Sequence, residues 1–177
     1  MARTAANTNR CTTCGRRAPI EAGGRCEDCW RAAVGSRREA DRADAARQAD
    51  LPVWALAPLA ADPSPLVRAE VAERDDLPGE IIATLADPAT EPHRAVLRRM
   101  ARHPRLRGHA RRLIQTDDVF TLRHVAQNPG CPVEALRLLA RHPDRLVHQR
   151  ARARLVAAGL DDEQRRRLPV GLRHLLS

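Results

Sequence analysis

From Leu51 onward, apolar residues return every three or four positions, and the run is then broken and begun again. Leu51-Pro52-Val53, Leu77-Pro78-Gly79, Leu106-Arg107-Gly108 and Cys131-Pro132-Val133 open four such runs, 26, 29 and 25 residues apart. Five, eight and nine positions further on stand Leu56, Leu59 and Ala60; Ile82, Leu85 and Ala86; and Leu136, Leu139 and Ala140. Leu113 and Ile114 fill the face of a degenerate third copy. That spacing predicts one apolar stripe along a helix. Proline in the first turn suits a helix start, because the N–H it lacks would have no partner there. Each run stops at Asp62-Pro63, Asp87-Pro88, Asp117-Asp118 or His142-Pro143. A second helix is predicted after each stop, carrying Val67 and Val71; Val96, Leu97 and Met100; Leu122 and Val125; or Val147, Ala151 and Leu155. Asp75-Asp76, His103-Pro104, Asn128-Pro129-Gly130 and Gly159 end these second helices, and Leu168-Pro169-Val170 predicts a truncated terminal cap. A period of roughly 20–50 residues means an array in which each unit buries its stripe against its neighbours. Cys131 stands where sister copies have leucine and is expected to be a small buried hydrophobe.

Upstream the pattern changes. Ser36-Arg37-Arg38-Glu39 reads as a capping box, so residues 37–49 are expected to form an exposed connecting helix with an alanine face. Before it lie Cys11-Thr-Thr-Cys14 and Cys26-Glu-Asp-Cys29, a C-x2-C-x11-C-x2-C arrangement with Gly15 after the first pair and Gly23-Gly24 before the second. Two residues between cysteines let both thiolates reach one ion from a tight turn, and a second such pair completes a tetrahedron. In a reducing compartment this reads as a metal site, not as disulfides. The donors Cys11, Cys14, Cys26 and Cys29 fit Zn2+, and an iron–sulfur cluster also takes four cysteines. A segment this short and polar cannot bury enough surface to fold alone, so metal binding would supply its folding energy. Four thiolates leave no open coordination position for catalysis.

The expected architecture is mainly α: a small four-cysteine, zinc-ribbon-like module at 1–35, a linker helix at 36–50, and a helical-repeat solenoid of about four pairs with a cap at 51–177. Aromatics are only 2%, so the core must be leucine, valine, isoleucine and alanine. No apolar run is long enough to span a membrane, and Met1-Ala2-Arg3-Thr4 opens no signal peptide. Cytoplasm is the expected compartment.

Units of the type L-P-x-x-x-L-x-x-L-A followed by D-P-x-x-x-V-R-x-x-V-A resemble those of the leucine-rich repeat variant proteins of bacteria. Asp62-Pro63, Val67-Arg68 and Val71-Ala72 carry the likeness best, and Leu122-Arg123 with Val125-Ala126 and Asn128-Pro129 is a shortened match. The resemblance covers roughly residues 50–158. It implies a right-handed superhelix of alternating helices akin to HEAT repeats. It also implies an N-terminal cluster of four irons on Cys11, Cys14, Cys26 and Cys29 as the alternative to zinc. The units here are longer and less even than the family's.

All 31 basic residues are arginine, and the net charge is +9. An arginine-for-lysine bias with abundant alanine and proline reflects a GC-rich genome, so placement matters more than number. Residues 1–50 carry +3, residues 51–104 carry −2 and residues 105–177 carry +8. Arg94, Arg98 and Arg102 line one helical stripe, as do Arg137 with Arg141 and Arg150 with Arg154, and Arg123 joins the same candidate set. Like charges four apart repel by roughly 0.2–0.5 kcal/mol per pair. Phosphates would relieve that cost, and so would acids such as Glu91 or Glu134 on neighbouring units. With few aromatics for base stacking, backbone contact to duplex DNA is expected over single-strand recognition. Six of the seven histidines fall between His93 and His148, where they read as turn and surface residues. No catalytic motif or small-molecule site is evident. The expected function is therefore a non-enzymatic, metal-stapled binding protein associated with nucleic acid. The alternatives are a protein–protein adaptor with an acidic partner, or an iron–sulfur redox or sensing protein.

Overall fold

The computed structural model describes residues 8–159, without the side chains of Thr8, Asn9 and Ala22. Within that range the chain is mainly helical and divides into two compact units that meet in sequence at Ile81–Ile82. The expected cap at Leu168-Pro169-Val170 lies outside the described residues.

The first unit opens with a short hairpin. Strand β1 (Thr8–Arg10) pairs antiparallel with β2 (Arg17–Pro19), with Asn9 opposite Ala18. A 3-10 turn at Ala22–Gly24 leads into α1 (Glu27–Val34), followed by α2 (Glu39–Arg47), α3 (Val53–Ala60) and α4 (Pro65–Ala72). Helix α5 (Gly79–Leu85) runs across the division. The second unit holds α6 (Arg94–Met100), a 3-10 turn at Leu106–Gly108, α7 (Ala110–Leu113), α8 (Val119–Gln127), α9 (Val133–Leu139) and α10 (Arg145–Ala157).

Local chemistry explains where most helices begin. Pro65 occupies the first turn of α4 while the Leu66 N–H donates to Ser64 Oγ at 3.1 Å. Asp118 accepts from the Thr121 N–H at 3.0 Å, and Asp144 from the N–H groups of Leu146 and Val147. The capping box expected at Ser36 does not form. Helix α2 begins at Glu39, and Ser36 Oγ instead accepts from the Arg38 N–H and donates to Asp41.

The apolar stripes read from the sequence form the core. Leu56, Leu59, Ile82, Leu85, Leu136 and Leu139 on the first helices are buried, as are Val67, Val71, Val96, Met100, Leu122, Val125, Val147 and Leu155 on the second. Each such side chain contributes about 1.5–3 kcal/mol of transfer free energy. Helix α2 is not an exposed connector. Its Ala43, Ala45 and Ala46 are buried, and it packs against both α1 and α4. Alanine's small side chain lets helix backbones approach closely, so an alanine face serves as well as a leucine face when its partners are near. Cys131 is buried, as its leucine-like position predicts.

Candidate metal centre and the arginines of the second unit

The four cysteines come together by two different local routes. The first pair sits at the turn of the hairpin. The Cys11 N–H donates to the Arg16 carbonyl, and the Gly15 N–H returns to the Cys11 carbonyl, each at 2.9 Å. Gly15 has φ +71°, a left-handed conformation that a residue with a Cβ adopts at a cost. The second pair opens a helix, where the sequence suggests only a second turn. Cys26 is the N-cap residue of α1, and the N–H groups of Cys29 and Trp30 donate to its carbonyl. The positive end of α1 thus faces the sulfurs and favours their thiolate forms.

All four sulfurs lie within 4.8 Å of one another. Cys11 Sγ is 3.7 Å from Cys29 Sγ, and Cys14 Sγ is 3.8 Å from Cys26 Sγ. A tetrahedral ion with metal–sulfur bonds of about 2.3 Å requires edges of about 3.8 Å, so these two opposite edges have the right length. The Cys26 N–H also donates to Cys11 Sγ at 3.3 Å. Backbone donors, the Cys14 N–H foremost, hold Cys11 down at about 5 against the effect of burial. The Cys26 thiol and then burial push Cys29 up to about 12. Sulfurs packed this closely do not all ionise without a cation between them. The set can hold a metal ion, and among the described residues it is the one such group of cysteines, histidines and acids. Trp30, directly after Cys29, is fully buried with the Arg25 guanidinium 4.8 Å from its ring centre. It ties the cysteine module to the helices, for α1 packs on both α2 and α3.

The arginines are placed by packing between helices. Arg98 Nε and Nη2 donate to the two carboxylate oxygens of Asp118 at 2.8 and 2.7 Å. Arg123 holds Asp144 in the same way, at 3.2 and 2.8 Å, and in the first unit Arg42 holds Asp62, at 2.6 and 3.0 Å. In each case the arginine lies on a second helix and the acid stands at the start of the next one. Arg94 pairs with Asp117 at 3.2 Å, and Arg102 contacts the His124 ring. Arg150 donates to the Arg123 carbonyl, and Arg154 to the carbonyls of Gln127, Asn128 and Pro129 that end α8. Arg74 does the same for α2, donating to the carbonyls of Ala46, Gln48 and Ala49. Arg137 and Arg141 are exposed in α9 and just beyond it. The stripes read from the sequence are therefore not one uniform cationic face, since six of their eight arginines contact groups of the chain itself.

Two features were not legible beforehand. Phe120 is 54% exposed, with the Arg98 and Arg123 guanidiniums 4.9 and 5.1 Å from its ring centre. Asn128 is buried, and its amide donates to the carbonyls of Ala101 and His103. The histidines behave as turn residues: His103 and His142 accept from the N–H groups two residues on, Arg105 and Asp144.

No protein-family model, no curated protein and no solved structure matches this chain.

Proposed function

We propose that this chain is a non-enzymatic, zinc-stapled helical-repeat protein that associates with nucleic acid through its second unit. Charge carries this reading. Residues 82–159 hold fifteen arginines against six acids, whereas residues 8–81 hold eleven against thirteen. Four of the six acids, Asp87, Asp117, Asp118 and Asp144, already face arginine. Internal pairing leaves a net +9 on that segment, which suits a polyanion whose counterions are released on binding. Duplex DNA titrated at rising salt tests it. Affinity falling steeply between about 50 and 200 mM salt is expected, and no binding at the lower end refutes it.

The repeat reading gains support from recurrence. The same arginine-to-acid contact returns at separations of 20, 20 and 21 residues, in Arg42–Asp62, Arg98–Asp118 and Arg123–Asp144. That is what a stack of related helix pairs would produce, and it agrees with the likeness to leucine-rich repeat variant proteins. For the metal, sulfur edges of 3.7 and 3.8 Å favour a single ion over a four-iron cluster, which would set its own irons and sulfides between the thiolates. One zinc per chain in a colourless protein is expected, and the broad visible absorbance of iron–sulfur would overturn it. A site of reduced thiolates is in keeping with a cytoplasmic protein.

The second reading, an adaptor for another protein, is favoured by exposed Phe120, Leu138 and Leu146 in the second unit. Capture of a partner that survives nuclease treatment would support it.

A further inference from the structure

The arginines of the second unit fall into two groups. Those on the second helix of each pair point into the chain's own acceptors. Arg98 and Arg123 each give two donors to one carboxylate, and Arg150 and Arg154 reach backbone carbonyls. Moving Arg98 onto a phosphate would strand Asp118, which is 4% exposed and caps α8. A buried carboxylate left without its cation is strongly destabilising, so that arginine is a poor phosphate ligand. The other group lies on the first helices and the loops that lead into them. Arg107 stands in the 3-10 turn, Arg111 in α7, Arg137 in α9 and Arg141 one turn further on, and all four are exposed. Among the described residues, Arg107, Arg111 and Arg141 meet no carboxylate.

These positions share an edge. A groove of about 470 Å³ runs between Pro104, Arg105 and Arg107 on one side and Pro129 and Gly130 on the other. A Cβ on Gly130 would stand 3.0 Å from the Pro104 carbonyl oxygen and 3.7 Å from the Arg107 nitrogen. The loop before α7 therefore lies against the loop before α9, which brings Arg107 beside the start of the helix that carries Arg137.

We infer that the backbone of a bound duplex is held along this edge by Arg107, Arg111, Arg137 and Arg141, and that Arg98 and Arg123 position helices instead of phosphates. The inference rests on the nucleic-acid reading above and names the residues that carry it. Exposed guanidiniums with open donors match phosphate oxygens two at a time and give up no internal partner to do so.

The test uses the full chain with its metal and a DNA duplex of about 20 base pairs, two helical turns. Binding is measured against salt for the wild type, for Arg107→Ala/Arg111→Ala/Arg141→Ala and for Arg98→Gln/Arg123→Gln. The first variant should melt like the wild type, while its slope of log affinity against log salt becomes shallower by about 2–3. The second should melt earlier yet keep the wild-type slope at temperatures where it is folded. A wild-type slope in the first variant overturns the assignment, even if the second variant fails to fold. So does a reduced slope in the second variant at unchanged melting temperature. If the wild type itself does not bind at low salt, the nucleic-acid reading fails and the assignment falls with it.

Discussion

Arg98 and Asp118 stand twenty residues apart and are joined edge to edge by two hydrogen bonds, 2.8 and 2.7 Å long. The same carboxylate accepts from the Thr121 N–H and hydroxyl, so one buried acid both starts α8 and fastens α6 to it. This is a tertiary bond built on a local cap, and it recurs in altered form at Arg42–Asp62 and Arg123–Asp144.

Asp118→Ala should destabilise the protein by about 2–3 kcal/mol, part from the lost cap and part from the lost pair. Arg98→Ala should cost less, about 1–2 kcal/mol, because its side chain is 40% exposed and water screens it. Chemical denaturation of both single variants and the double variant checks this. Strict additivity of the two changes would mean that the pair is not coupled.

Stability should fall in acid, and the sign follows from the carboxylates. The Arg98 hydrogen bonds hold Asp118 well below the usual range, and those from Arg123 hold Asp144 at about 2. Burial opposes the shift at Asp62, but Arg42 and the Ser64 N–H overcome it. A group depressed on folding stabilises fully above its unfolded pKa of about 3.9 and loses that contribution as pH drops through the folded value. Melting temperature should therefore hold above about pH 4 and decline between there and about pH 2. Asp144→Asn should flatten that decline, and an unchanged acid limb would show that Asp144 plays no part in it.

Removing the metal should release four thiols and leave one. Cys11, Cys14, Cys26 and Cys29 are expected to react with a thiol reagent only after chelation, with loss of helical signal as α1 loosens. Cys131 is buried and pushed up to about 11 by that burial, so it should react only on unfolding. Five fast thiols in the native protein without chelator would count against a resident ion.

Asn128→Ala should cost about 2–4 kcal/mol. The side chain bonds the carbonyls of Ala101 and His103 and accepts from the Gly130 N–H at 2.7 Å, and three buried partners would be left unsatisfied. Asn128→Asp should lose nearly as much, since a carboxylate cannot donate to either carbonyl. Thermal melts of the two variants measure this, and wild-type stability in either would refute it.

Spacing along the chain was enough to locate the four cysteines as one group, the apolar stripes of the helix pairs, the breaks between them and the leucine-like burial of Cys131. Each of these depends on energies that act within a few residues: a thiolate pair on one turn, a side chain every three or four positions, a proline or acid at a helix start. Packing alone decided that Cys26 and Cys29 sit on a helix, that α2 is covered on its alanine face, and that Asn128 ties off α6. It also chose which acceptor each arginine meets. A guanidinium on a helix surface can reach acids and carbonyls some twenty residues away only after its neighbour has docked, and no periodicity in the chain announces which of them will be there. The same arginine letter therefore covers both a helix fastener such as Arg98 and an exposed cation such as Arg107, and the distance to the next helix is what tells them apart.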